Sequence, residues 1–141
     1  MPFILEWETV FDRKGNPIAE NDPDDPGGMT KFGIDKRSHP KEDIANLTKE
    51  RAIEIYWNEY WLKNNIDEFS YPFGEAVFNC CVNAGRGRAD KILAKAKTAT
   101  GFIDEQESFY HRLVDAKPKS KKYLKGWLNR TEALRKYLKL A

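Results

Sequence analysis

Acidic side chains in the first third of the sequence are the residues best suited to chemistry. Glu8 follows an apolar segment that contains Trp7, which predicts a carboxyl group at the end of a short helix, against aromatic side chains. Glycoside hydrolysis needs one carboxyl group that holds its proton near neutral pH, and usually a second carboxylate across the bond. Glu8 is therefore a candidate general acid, although a lone glutamate at such a position is usually only solvated.

A second group of acids lies in a loop rich in proline and glycine. Asp22, Asp24 and Asp25 fall within residues 21–28, where prolines and paired glycines disfavour both helix and strand. Aspartate is a common turn former, so a structural role is the simple interpretation. Calcium binding is the alternative, but the spacing lacks the glycine and the terminal glutamate of an EF-hand loop.

Flexible and polar residues, some next to these acids and one further along the chain, allow both structural and binding roles. Gly27 and Gly28 allow the backbone to approach a sugar ring, and Thr30 offers a hydroxyl group to a water molecule. Thr30 can equally be a simple turn or strand residue. The Asn83 amide can bind sugar hydroxyls or cap the helix that is expected to end near Gly85.

The elements expected to position these residues are mostly helices. Turn residues at 14–17 predict a small hairpin after Glu8. The fold class is therefore mainly α (α+β), with one early hairpin. Caps and apolar spacing predict helices after the N-cap Thr48, from Pro72 to near Gly85, from Arg88 to Thr98, from near Asp104, and over the amphipathic residues 123–138.

The composition is that of one folded domain with an uneven charge distribution. Hydrophobic residues make up 40% and charged residues 33% of the 141 residues, and the net charge is only +2. Residues 1–30 contain seven acids and two bases, whereas residues 117–141 contain nine bases and one acid. Such a basic C-terminal segment can bind nucleic acid, an anionic membrane or an acidic wall polymer.

Several function classes lack support in the sequence. No nucleic-acid-binding motif accompanies the basic end, and no apolar stretch approaches the length of a membrane span. Cys80 and Cys81 are adjacent, which makes a mutual disulfide strained and a zinc site implausible, so we expect two buried thiols. We expect no nucleic-acid partner, no stable membrane insertion and a monomer.

Two early segments resemble glycoside hydrolase family 108, which contains N-acetylmuramidases, many of them phage endolysins. They are Leu5-Glu6-Trp7-Glu8-Thr9-Val10-Phe11 and the run from Asn21 to Ile34, in which Asp-Pro-Gly-Gly-x-Thr is the most specific part. The resemblance continues through Leu47–Glu50, Ile55–Trp61, Ala76–Gly85 and Gly126–Arg130, and so spans nearly the whole chain.

The resemblance implies a lysozyme-like domain over residues 1–141, with a catalytic part at 1–70 and a helical part at 71–141 that resembles the family's peptidoglycan-binding region. It implies hydrolysis of the β-1,4 bond between N-acetylmuramic acid and N-acetylglucosamine in peptidoglycan, without a metal or organic cofactor. Glu8 aligns with the catalytic acid, Asp25 falls near the second carboxylate, and Thr30 falls near the threonine that places the attacking water. Gly27, Gly28 and Asn83 are expected to contact substrate.

Two departures from the family pattern leave an alternative open. Thr9-Val10 replaces the paired glycines after the acid, and roughly eight residues, about 13–20, are inserted before Asp25. The inserted residues can extend the cleft wall or partly cover it. The alternative is a catalytically impaired protein of the same fold that binds peptidoglycan or has a structural role.

The expected site of action is the bacterial cell wall. Pro2 to Leu5 is too short for the apolar core of a signal peptide. We therefore expect synthesis in the cytoplasm, followed by holin-type or other export to the periplasmic wall.

Overall fold

The computed structural model describes residues 2–21 and 28–140, and it is mainly helical with a small antiparallel sheet. The predicted fold class is confirmed. The helices are α1 (Pro2–Glu8), α2 (Lys49–Tyr56), α3 (Phe73–Ala84), α4 (Arg86–Leu93), α5 (Ala99–Ala116) and α6 (Lys121–Tyr137), and the strands are β1 (Glu20–Asn21), β2 (Met29–Lys31) and β3 (Ile34–Asp35). A π-helical segment, Trp57–Leu62, follows α2, and short 3₁₀ turns lie at Ile44–Asn46, Ile66–Glu68 and Pro118–Ser120.

The chain divides into two compact units, Met1–Asn58 and Glu59–Ala141. The first contains α1, the sheet and α2, and the second contains α3 to α6. A single domain with functional parts at 1–70 and 71–141 stays a prediction. No helix in the described ranges is long and apolar enough to cross a membrane.

The first unit is built on a short apolar helix and a three-stranded meander. Phe3, Ile4 and Leu5 of α1 are buried, which fixes this helix against the core of the unit. The sheet order is β1-β2-β3, with both neighbouring pairs antiparallel. The predicted hairpin after Glu8 is confirmed: Phe11 forms an antiparallel bridge with Pro17.

The α2 helix begins where its cap predicts. The Thr48 hydroxyl accepts a hydrogen bond from the Arg51 backbone N–H at 3.1 Å, as expected of an N-cap residue. Ala52, Ile55 and Tyr56 form the buried face of α2. Helical spacing and one cap residue therefore predict both the start and the buried face of this element.

The second unit has an apolar helix at its centre. Most residues of α3 between Gly74 and Cys81 are buried, and the helix ends before Gly85, which has a φ of +88°. Cys80 and Cys81 are free, buried thiols, as predicted. Contacts with α4 and α5 cover α3, which explains why its sequence is apolar on more than one face.

Two predicted helices in the second unit have wrong boundaries. The α4 helix runs from Arg86 to Leu93 rather than from Arg88 to Thr98, and α5 begins at Ala99 rather than near Asp104. Thr98 is the cause of the second error, because its hydroxyl accepts a hydrogen bond from the Gly101 backbone N–H at 3.0 Å. Gly101 therefore lies inside the first turn of α5.

Candidate active site

Glu8 is the last residue of α1, as predicted. The backbone N–H of Thr9 donates to the Leu5 carbonyl at 3.0 Å and closes the final helical turn. The preceding apolar residues hold the helix in the core of the first unit, while the Glu8 side chain stays partly exposed. The result is a carboxyl group on a fixed backbone that solvent and substrate can still reach.

The turn between β2 and β3 approaches Glu8 closely, and only glycine fits there. Gly33 has a φ of +78°, and a Cβ atom built on it would lie 2.8 Å from Glu8 Cβ and 2.9 Å from Glu8 Oε2. The same Cβ would lie 2.5 Å from the hydroxyl oxygen of Tyr56. The Glu8 carboxyl and the Tyr56 hydroxyl therefore flank one point on the Gly33 backbone.

Tyr56 holds this turn from the other side. It is the last residue of α2, only 1% of its surface is exposed, and its hydroxyl donates to the Phe32 carbonyl at 2.6 Å. Phe32 has a φ of +56°, so both central residues of the turn are left-handed, as in a type I′ hairpin turn. Phenylalanine is unfavourable in that region, and burial of its ring together with the tyrosine hydrogen bond offsets the strain.

Thr30 lies in the middle of the sheet between two carboxylates. It is directly opposite Glu20 of β1 and Asp35 of β3, and opposed residues of antiparallel strands point to the same face. The Thr30 hydroxyl donates to the Gly28 carbonyl at 3.4 Å. The oxygen of that hydroxyl keeps its lone pairs, so it can accept a hydrogen bond from a water molecule.

The other predicted site residues have different outcomes. Asp25 and Gly27 lie outside the described residues, and Gly28 is left-handed with a φ of +74°. The Asn83 amide donates to the Tyr110 hydroxyl, so it does not cap α3, and its contact with substrate stays a prediction. Within the described ranges, no group of three or more His, Cys, Asp or Glu side chains is arranged to hold a metal ion.

The departures at Thr9 and Val10 cause no backbone conflict in this structure. Neither residue has a positive φ, so nothing in this segment requires the conformational freedom of glycine. Phe11 and Pro17, which form the bridge of the hairpin, help to line a cavity of about 340 Å³ beside α1. The base of the insertion thus forms part of a cavity wall.

The sequence did not identify four residues of this arrangement: Gly33, Tyr56, Glu20 and Asp35. The ring of Tyr56 lies on the buried face of α2, while its hydroxyl supports the turn. The signal for Asp35 was the two-residue turn at Phe32-Gly33, because that turn fixes which residue of β3 opposes Thr30.

Comparison with known proteins identifies the family. A model of glycosyl hydrolase 108 matches residues 1–85, which contain Glu8, Thr30, Gly33 and Tyr56. Among solved structures, SagA of Brucella abortus is similar, with a TM-score of 0.72, 22% sequence identity, and coverage of 98% of this chain and 90% of that chain. This likeness shows the fold, and the comparison with curated proteins finds no match. Since the family model matches more than half of the residues of this chain, the chain belongs to glycosyl hydrolase family 108.

Proposed function

We propose that this protein hydrolyses the β-1,4 bond between N-acetylmuramic acid and N-acetylglucosamine in peptidoglycan, with Glu8 as the general acid. Family membership supports hydrolysis of glycosidic bonds in peptidoglycan in general. The observation that carries the finer proposal is the placement of the Glu8 carboxyl group. The carboxyl group lies at the end of α1, whose apolar residues are buried. It also lies against the turn at Gly33, where no side chain fits between the turn and Glu8.

The proposed reaction gives three side chains distinct roles. The Glu8 carboxyl donates its proton to the glycosidic oxygen as the bond to the anomeric carbon breaks. A water molecule then attacks that carbon and transfers a proton to the second carboxylate, for which Asp25 is the candidate. Thr30 accepts a hydrogen bond from the same water and so fixes its direction of approach.

The test of Glu8 compares three chains on purified peptidoglycan sacculi. Glu8→Gln keeps the size of the side chain but has no proton to donate, so we expect the hydrolysis rate to fall by roughly 10²–10⁴-fold. Glu50→Gln is the matched control, because Glu50 is an exposed glutamate in the first turn of α2 with the same change in charge. Hydrolysis by Glu8→Gln at the native rate would assign the acid to another residue.

The products identify the bond. Cleavage after N-acetylmuramic acid leaves that sugar at the new reducing end, and borohydride then converts it to its alditol. Reduced N-acetylglucosamine would place the cut at the other glycosidic bond, and a non-reducing anhydro end would indicate a different reaction. Binding to sacculi without any release of fragments, by a folded native chain, would favour the catalytically impaired peptidoglycan-binding protein.

The proposed setting is the bacterial cell wall. We propose that the protein reaches the periplasmic peptidoglycan after holin-type or other export. Expression with and without a holin, followed by turbidity of the culture, tests this point. Lysis that does not depend on any export partner would contradict the holin route.

A further inference from the structure

A basic cavity lies between α4 and α5 in the second unit, and the proposed reaction does not use it. Its volume is about 380 Å³. Ile92 and Phe109, both buried, supply apolar surface, and Glu105 is its one acidic residue. Its basic residues are Arg88, Lys91, Lys95 and Arg112.

The single acid in this cavity does not neutralise the four bases. Glu105 is 3.9 Å from both Lys95 Nζ and Arg112 Nη1, which are long contacts for ion pairs between partly exposed groups. No acidic side chain among the described residues pairs with Arg88 or Lys91. The cavity therefore presents unbalanced positive charge to anything that enters it.

Arg88 is prepared to bind an oxyanion. Its guanidinium carbon lies 3.8 Å from the centre of the Phe109 ring, which is only 8% exposed and therefore fixed. A cation–π contact with the ring uses no N–H hydrogen bond to an acceptor, so the guanidinium N–H groups can donate to a ligand. A planar carboxylate is the partner that such a fork binds with two parallel hydrogen bonds.

We propose that this cavity binds the carboxylates of an acidic peptide, namely the short peptides attached to the glycan strands of the substrate. This inference rests on the proposed function, because it takes peptidoglycan as the polymer. Those peptides carry several free carboxylates on the same molecule as the scissile bond. Binding them would retain the enzyme on the wall between successive cleavages. Phosphate groups of wall polymers share the oxyanion chemistry and are the competing source.

The experiment measures binding of a soluble, sugar-free stem peptide to the full chain by isothermal titration calorimetry. The peptide contains no glycosidic bond, so the result does not depend on catalysis. Loss of a charge-assisted pair predicts that Arg88→Gln weakens binding roughly 10- to 100-fold. Arg37→Gln is the matched control, since Arg37 is an exposed arginine of the first unit, and it should bind as the native chain does.

Three further arms make the result decisive. The same peptide with amidated carboxylates should lose most of its affinity, and Arg88→Lys, which keeps the charge but not the planar fork, should bind between the native chain and Arg88→Gln. Equal binding of the amidated peptide, or an unchanged affinity in Arg88→Gln, would overturn the proposal. Inorganic phosphate that displaces the peptide at equal concentration would assign the cavity to phosphate instead.

Hydrolysis rates on two substrates distinguish a failure of this inference from a failure of the proposed function. On glycan strands stripped of peptide, Arg88→Gln should cleave at the native rate, whereas on intact sacculi at low enzyme concentration it should cleave more slowly. Equal slowing on both substrates would mean that Arg88 acts on catalysis or folding and not on peptide binding. Native activity in Glu8→Gln would refute Glu8 as the acid without changing the peptide titrations.

Discussion

Substitution of Gly33 by alanine tests whether the close approach to Glu8 holds the site together. The added Cβ would lie 2.5 Å from Tyr56 Oη and 2.8 Å from Glu8 Cβ, both shorter than real Cβ contacts. Relief of such overlaps by shifting α1 or the turn costs about 1–3 kcal/mol. Alanine at a φ of +78° adds a conformational cost of about 1–2 kcal/mol.

Gly15 separates these two contributions. It has a φ of +83°, but a Cβ atom on it would have no neighbour within 4 Å. Gly15→Ala should therefore lose only the conformational part, about 1–2 kcal/mol of unfolding free energy. The additional loss in Gly33→Ala, about 1–3 kcal/mol, measures the overlap with Glu8 and Tyr56.

The assay combines urea unfolding with hydrolysis of sacculi at a temperature at which each variant is folded. Displacement of the acid by about 1 Å should reduce the rate of Gly33→Ala by about 10²-fold. Gly15→Ala should keep the native rate. Equal losses of stability in the two variants, with full activity in Gly33→Ala, would refute the claim that this turn positions Glu8.

Three smaller predictions address other parts of the molecule. Tyr56→Phe leaves the Phe32 carbonyl without its 2.6 Å hydrogen bond, so urea unfolding should show a loss of about 1–3 kcal/mol; an unchanged stability would mean that the hydroxyl does not support the turn. Burial of Glu107 raises its pKa, but hydrogen bonds from α6 outweigh burial and hold the pKa below the ordinary value of 4.5. Its stabilisation is therefore present above 4.5 and is lost as the pH falls through the folded-state pKa, so acid titration of Glu107→Gln should show a smaller drop in stability than the native chain. Burial raises the pKa of the Cys80 thiol to about 12 and that of Cys81 to about 11, so Ellman's reagent at pH 8 should react only after unfolding; rapid reaction in the folded protein would contradict their burial.

Local signals were sufficient for most of the helices. Thr48 and its helical apolar spacing predicted α2, and Pro72 with Gly85 bracketed α3, because caps and stop residues act within a few positions of the chain. The same reasoning failed at the start of α5. The expected start near Asp104 is too late, because the Thr98 cap begins the helix at Ala99.

The site shows where such local reasoning stops. The position of Glu8 at a helix end follows from the apolar residues before it, and the family motif assigns its role. The contact with Gly33 does not follow, because it joins residues 25 positions apart and depends on how α1 packs against the sheet. Helical periodicity can indicate which face of α2 is buried, but it carries no information on which carbonyl the Tyr56 hydroxyl will reach. Gly33 suits the left-handed conformation of this turn, yet only the packed fold shows that the glycine is also required for space. A sequence therefore shows which side chains are able to do chemistry. The tertiary contacts decide at which position, here Gly33, a side chain would prevent those groups from packing together.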